Sequence, residues 1–465
     1  MKGKKIFLLL PDGLGLRNFG YTDFYKKSTE KDFEIVFWNN TTFPLANLGY
    51  PELKINHSKI HPLTDIYKKA KVQIEFNLNI KRTKDKVYNS YRFPFSYNGI
   101  KAAAKSTFVN LITITHSSKS GLLRIRKKIN QNERKTLYYH QSLATLENEK
   151  PTMVFCTNQR HIATVAPLLA AKDLGIPTAT FIFSWDNLPK ATMVVEADYY
   201  FVWSNYMKDE LLFYYPYIKL EQIIVTGSPQ FEMHFDKNNL LTREAFFNQN
   251  GLDLTKKYIC FSGNDETSSP DDPKYLEDIA KGVRELNAQG NNIAVIFRRS
   301  PVDFSNRFDY IIRKYADEVV FVNPLWDALS TSWDAILPTI EDNVLFSNLA
   351  EHTELVITIG SSTVFDFIAH KKPTGYLKYN QKIQSNSKWD IIKCYSFVHF
   401  RSMPSQEVVF WINSPEEMST AILKAISDSE KTLEQAQNWF EIINQHPPEK
   451  ASERIWNAIE IILKK

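Results

Sequence analysis

Cysteine is scarce in this 465-residue chain: Cys156, Cys260 and Cys394 stand far apart, with neither Cys-x-x-Cys nor Cys/His spacing. That excludes a disulfide framework and a structural zinc site, and it predicts thiols packed in the core of a cytoplasmic protein. Long apolar runs are missing too. No window reaches the roughly 18–20 uncharged apolar residues of a membrane span, so any membrane contact is expected to be peripheral. The first ten residues begin like a signal peptide, but Ile6–Leu10 gives only five apolar residues before Pro11, too few for its hydrophobic region. The segment reads as a buried first strand. No Asp-x-Asp triplet is present to hold a divalent ion, so no metal is expected. Gly-x-Gly-x-x-Gly is also absent, which leaves a dinucleotide fingerprint unsupported.

What is present describes a folded protein. Hydrophobic residues make up 43% of the chain and charged residues 23%, and the length exceeds what one core ordinarily fills. Two domains of roughly 200 residues each are the expectation. The formal net charge of +5 conceals a polarity: residues 1–150 hold 27 Lys and Arg against 12 Asp and Glu, and the remainder holds 30 against 40. A basic first third points to an anionic partner, either a phospholipid surface at the inner face of a membrane or a phosphorylated acceptor. Nucleic acid is not indicated, because the cations are scattered without an aromatic-interleaved signature. The densest cluster, Gly121–Ile129, mixes apolar and cationic residues as an interfacial helix does, or as a solvated helix face does.

Short apolar runs rich in β-branched and aromatic residues alternate with helical patterns, twice over, which predicts two doubly wound α/β halves. Strands are expected at 5–10, 34–38, 152–157, 178–184, 199–204 and 222–226, then at 258–262, 293–298, 319–322, 355–358 and 374–377. The polar, turn-rich passage after Gly227 separates the halves. We read a first domain at 1–235, a linker at 236–255, a second domain at 256–430 and terminal helices at 431–465 that can pack back on the first domain. Residues 40–150 mix strand and helix signals and predict no definite elements.

The strongest local signal is Leu355–Ile359 running into Gly360, Ser361, Ser362 and Thr363, then a helical pattern. A buried strand, a hydroxyl-rich turn and a helix start offer free N–H groups and a positive dipole end to a phosphate; an ordinary N-cap is the alternative. Asp366, one turn in, is placed to accept from a ribose diol. Arg298 and Arg299 end another strand with two guanidinium groups suited to a diphosphate, or to a surface ion pair. Gly263 and Asn264 end the first strand of this half, and Trp326 follows the third, where it lines a base pocket or joins the core. All of these fall at C-terminal strand ends, where open α/β sheets bind ligands. In the first half Asp12, Gly13, Gly15 and Arg17 form a glycine-containing loop after the first strand. Trp185, Asp186 and Asn187 place an indole, a carboxylate and an amide at another strand end, a combination suited to a sugar. Asp12 and Asp186 are rival general bases for an acceptor hydroxyl. His57, His116, His161 and His234 have no motif context.

Ser184–Leu188, Ala197–Ser204 and Val225–Phe231, with Gly360-Ser361-Ser362 and Lys372-Pro373, resemble in order and type the GT-B glycosyltransferases of bacterial surface-polysaccharide assembly. That superfamily also holds glycerophosphate, Kdo and sialic-acid transferases, and the resemblance covers roughly residues 150–380. It implies two Rossmann-like domains facing across a cleft, an acceptor in the first and a nucleotide-sugar donor in the second. It also implies that Ser361, Ser362 and Thr363 hold donor phosphate and that Asp366 is an acidic ribose ligand. Several relatives carry a His-Pro pair after the second strand of the C-terminal domain; Arg298-Arg299-Ser300-Pro301 stands here instead, which weakens a cytidine-donor reading. The expected activity is sugar transfer from a nucleotide-sugar to a hydroxyl of a lipid-linked or cell-surface glycan, without cofactor. A CDP-polyol phosphotransferase, a CMP-linked sugar transferase, a nucleotide-sugar epimerase and a non-enzymatic lipid-binding protein are the alternatives.

Overall fold

The computed structural model describes residues 4–329 and 335–464. The chain divides into two compact units, residues 1–229 with 450–465, and residues 230–449.

In the first unit the strands are β1 (Lys4–Leu10), β2 (Phe33–Asn39), β3 (Glu52–Lys54), β4 (Met153–Cys156), β5 (Thr178–Phe181), β6 (Tyr199–Val202) and β7 (Ile223–Val225). They form one parallel sheet in the order β3-β2-β1-β4-β5-β6-β7. Ile6–Leu10 of β1 are fully buried. A parallel strand covered on both faces buries both side-chain rows, which is why it reads as an unbroken apolar run. The edge strand β3 has three residues, too few to show a period, and the sequence did not reveal it.

Residues 40–150 turn out to be mainly helical, with helices at Pro62–Thr83, Ile100–His116, Lys119–Glu133 and Leu137–Glu149. Local signals cap three of them: His61 accepts from Leu63 N, Ser118 from Gly121 N and Thr136 from Tyr139 N. The 100–116 helix misleads because Thr107, Val109, Ile112, Thr113, Ile114 and Thr115 are β-branched and locally favour strand. The Gly121–Ile129 cluster lies on the 119–133 helix. Its Ile125 and Ile129 are buried and its helix packs against the 62–83 helix, while Leu123 stays 45% exposed. Among the described residues no helix is long and apolar enough to cross a membrane.

The second unit holds β8 (Lys257–Ser262), β9 (Ile293–Arg298), β10 (Val319–Phe321), β11 (Trp326–Ala328), β12 (Ile336–Pro338), β13 (Val356–Thr358), β14 (Thr374–Leu377) and β15 (Phe410–Ile412). Six form a parallel sheet in the order β10-β9-β8-β13-β14-β15, and β11 pairs antiparallel with β12. Residues 236–255, expected as a linker, contain the helix Arg243–Gln249, whose Phe246 and Phe247 enter a core cluster with Tyr258, Ile296 and Leu349. The terminal helices divide. Glu430–Ile443 packs Trp439 and Phe440 on Phe365 in the second unit. Ala451–Ile462 belongs to the first unit, where Trp456 stacks on Phe24 at 4.9 Å and its Nε1 donates to Phe24 O at 2.8 Å.

Candidate functional site

Each sheet has a switch point, β1/β4 in the first unit and β8/β13 in the second. Adjacent parallel strands whose connections leave in opposite directions open a crevice at their C-terminal ends. In the second unit that crevice lies between two glycine turns. After β8, Gly263 N donates to Arg298 O at 2.9 Å, and a Cβ on Gly263 would lie 3.1 Å from Phe297 Cε2. Arg307 Nη2 donates to Asn264 O at 2.7 Å, and Asn264 N donates to the carboxylate of Asp272. Burial, foremost among the influences on it, pushes the Asp272 carboxyl up to about 7. After β13, Thr358 Oγ1 donates to Ser262 O at 2.9 Å, tying the two strand ends together. Gly360 follows at φ +57, and a Cβ there would lie 3.0 Å from Phe400 Cζ. A left-handed turn against an aromatic ring selects glycine. Tyr376 Oη donates to Ser361 O at 2.8 Å, and Ser361 Oγ sits 2.8 Å from Thr363 Oγ1. Gly263, Asn264, Gly360, Ser361 and Ser362 remain partly exposed around the crevice, with Thr363 buried behind them.

Several expected donor ligands are otherwise engaged. Arg298 is 6% exposed, and its Nη2 donates to both Asp342 oxygens at 3.0 and 2.9 Å. It is half of a buried ion pair instead of a strand-end clamp. Trp326 donates its Nε1 to the same Asp342 at 2.7 Å, so its indole edge also belongs to that network. Arg299 lies over the Phe321 ring at 5.4 Å and is the guanidinium left at this edge. Asp366 is 9% exposed, and its Oδ1 lies 3.0 Å from His234 Nε2. The helix after Ser362 has six residues, and Ser362 makes no side-chain cap bond.

The first unit's switch point holds Asp12. Gly15 N donates to its Oδ1 at 3.2 Å and Asn158 Nδ2 to its Oδ2 at 2.7 Å, and the side chain stays half-buried. Gly13 and Gly15 are buried. A Cβ on Gly15 would meet Leu10 Cδ1 and Thr157 Oγ1 at 2.5 Å, so protein, not ligand, makes the close approach there. Arg17 donates Nε to Asn18 at 3.1 Å. Trp185 and Asn187 are buried, and Gln159 Nε2 donates to Asn187 Oδ1 at 3.1 Å. Asp186 accepts from Ser184 Oγ at 2.7 Å and pairs with Lys190.

Two features went unnoticed in the sequence. Glu210, half-buried on the helix Asn205–Tyr214, has its carboxyl pushed up to about 8 by burial first and by Asp186 second. Its place on the Met207–Leu211–Tyr214 side of that helix was the available signal. His234 Nδ1 lies 3.0 Å from His370 Nε2, and His370 Nδ1 lies 2.7 Å from Glu351, a line of contacts from buried Asp366 to the 42% exposed Glu351 side chain that joins residues over a hundred positions apart. Burial and then His234 hold the His370 imidazole below its ordinary range. Burial pushes the Cys156 thiol to about 11 and Cys260 to about 12, so both are inert core groups. Among the described residues no group of three or more His, Cys, Asp or Glu is arranged to hold a metal.

No protein-family model and no curated protein matches the sequence. Solved structures do match along nearly the whole chain. The S. aureus MnaA co-structure with UDP has a TM-score of 0.52 at 15% identity, over 99% of this chain and 97% of that one. The UDP-GlcNAc 2-epimerase of Methanocaldococcus jannaschii gives 0.52 at 14%, over 98% and 99%. A glycosyltransferase from Rickettsia africae gives 0.52 at 11%, over 100% of both chains. Likeness at such identities is likeness of fold, and it assigns this chain, with its two parallel-sheet α/β units, to the GT-B fold class.

Proposed function

We propose that this protein is an enzyme acting on a nucleotide-sugar, and that it transfers the sugar to a hydroxyl of a glycan or lipid-linked glycan. The observation that carries the reading is the β8/β13 crevice with its two glycine turns. Two buried donors, Asn264 Nδ2 after β8 and Arg298 Nη1 at the end of the neighbouring β9, have no acceptor among the described residues, and buried donors ordinarily have one. Donor diphosphate oxygens would meet the turn at Gly360, Ser361, Ser362 and Thr363, with Arg299 supplying positive charge. Those groups stabilise the leaving nucleotide as the anomeric C–O bond breaks. Asp12 is our candidate base for the acceptor hydroxyl, whose oxygen forms the new glycosidic bond while its proton passes to the carboxylate. Asp186 ranks second because Lys190 already neutralises it. The absence of an Asp-x-Asp pair supports a metal-independent reaction.

Calorimetry against UDP, GDP, dTDP and CMP tests the site first, and transfer assays with the preferred donor follow. Folded protein that binds none of the four would overturn the reading. Epimerisation is the second reading, favoured by the UDP-GlcNAc 2-epimerases among the similar structures. Isomerisation of the donor with no acceptor present would select it over transfer.

A further inference from the structure

The helices of the first unit border a cavity of about 600 Å³, within the range of small-molecule sites. Val72, Phe93, Phe95 and Val109 make one side apolar. Lys68, Lys69, Lys105, Arg160 and Lys190 bring five cations to the rest, against the single carboxylate of Asp65. Three cations are answered: Lys69 at 3.6 Å and Lys105 at 2.5 Å share Asp65, and Lys190 pairs with Asp186. Lys68 and Arg160 form no salt bridge among the described residues. Burial first, with Arg160, Lys71 and Lys69 opposing the relief from Asp65, holds the Lys68 ammonium below its ordinary range. Two like charges left beside one cavity carry an electrostatic cost that an anion between them removes.

The surface outside the cavity is apolar as well. Phe93 is 86% exposed at the wall, and the 100–116 helix presents Ile100 (89% exposed), Phe108, Leu111 and Ile114 to solvent along one face. Ala102, Ser106 and Val109 of its opposite face line the cavity. A helix apolar on both faces, one covering a cavity and the other open, has the pattern of an element lying in a bilayer interface. Lys101 in its first turn and Lys119 just beyond its end add positive charge, which fits an anionic bilayer.

We propose that the cavity binds a phosphorylated membrane lipid, its phosphate between Lys68 and Arg160 and its hydrocarbon chain against Phe93, Phe95 and Val109. The outer face of the 100–116 helix rests on the bilayer from which the lipid enters. Asn158 Oδ1 accepts from Arg160 N at 3.0 Å while Asn158 Nδ2 donates to Asp12, so the phosphate end lies toward the first unit's switch point. The inference stands without the nucleotide-sugar reading; joined to it, the lipid is the anchor of the acceptor.

The test is sedimentation of the full chain with vesicles of phosphatidylcholine alone, or mixed with phosphatidic acid or phosphatidylserine at matched surface charge. The tightest binding is expected with phosphatidic acid. Lys68→Gln with Arg160→Gln should weaken it about thirtyfold, as removing two cations near an anionic surface implies. Ile100→Ser with Leu111→Ser should abolish binding to all vesicles. Arg160→Gln and the two serine changes are at exposed positions, so they report even if the Lys68 variant fails to fold, and thermal melting checks each protein. Equal binding to phosphatidic acid and phosphatidylserine, unchanged binding by the glutamine variants, or no vesicle binding by folded protein would each overturn the proposal. Displacement by inorganic phosphate as effective as by soluble lysophosphatidic acid would mean a free-anion site and would overturn it too. Nucleoside diphosphate calorimetry on the same preparation reports the donor site separately, so failure of one reading is distinguishable from failure of the other.

Discussion

Asp272 and Arg298 show how single residues set the second unit's stability around the crevice. The Asp272 carboxyl rises from 3.8 to about 7 in the folded chain, so the folded state holds that proton more tightly than the unfolded state does. Its stabilising contribution is fully present below about pH 4 and is lost as pH rises through about 7. Asp272→Asn keeps an acceptor for Asn264 N and should flatten the fall in Tm over that window by several degrees; a melting series in which wild type and variant stay parallel would refute the assignment. Arg298→Ala leaves Asp342 buried and unpaired and should cost about 3–5 kcal/mol in denaturant unfolding. Arg298→Met with Asp342→Leu should recover most of that loss, and a double variant as unstable as the single one would show that the ion pair is not the cause. Neither partner could be chosen from sequence, because they lie 44 positions apart and burial alone makes their pairing obligatory.

Elements depend on one another in the same way. The 451–462 helix carries an apolar face legible from its spacing, but the sequence does not say which unit that face covers. Trp456 is fully buried between Phe24 and Phe33, with ring centroids at 4.9 and 5.0 Å. Trp456→Ala should destabilise the first unit by about 3–5 kcal/mol, measured by hydrogen exchange resolved along the chain; loss of protection confined to residues 230–449 would contradict the packing. The 62–149 helices were illegible for a different reason. The 100–116 helix among them is rich in β-branched residues that contradict its final state, and long-range packing outweighs a propensity worth at most about 1 kcal/mol per residue.

At the scale of the whole molecule, the proposed donor site belongs to one unit, which makes a spatially selective prediction. A bound nucleoside diphosphate should slow amide exchange at 263–264 and 361–363 and leave the first unit's strands unaffected. Gly360→Val, strained at its φ of +57 and driven against Phe400, should remove that protection and cost about 1–2 kcal/mol of stability. Protection spread evenly over both units would argue against a crevice-centred site.

By itself the sequence determined the two doubly wound halves, because parallel strands covered on both faces must be nearly continuous apolar runs between helical patterns, and the eleven expected runs stand at β1, β2, β4 to β10, β13 and β14. The strand, turn and helix start around Gly360 were legible too, while the need for glycine there came from its φ of +57 and the approach of Phe400. Only the tertiary structure decided which charges are engaged: it took Arg298 into an ion pair with Asp342, gave Asp366 to His234, and left Lys68 and Arg160 beside a cavity with no direct salt bridge among the described residues. Charge pairing depends on through-space distance and burial, and neither is encoded in the spacing of residues along the chain.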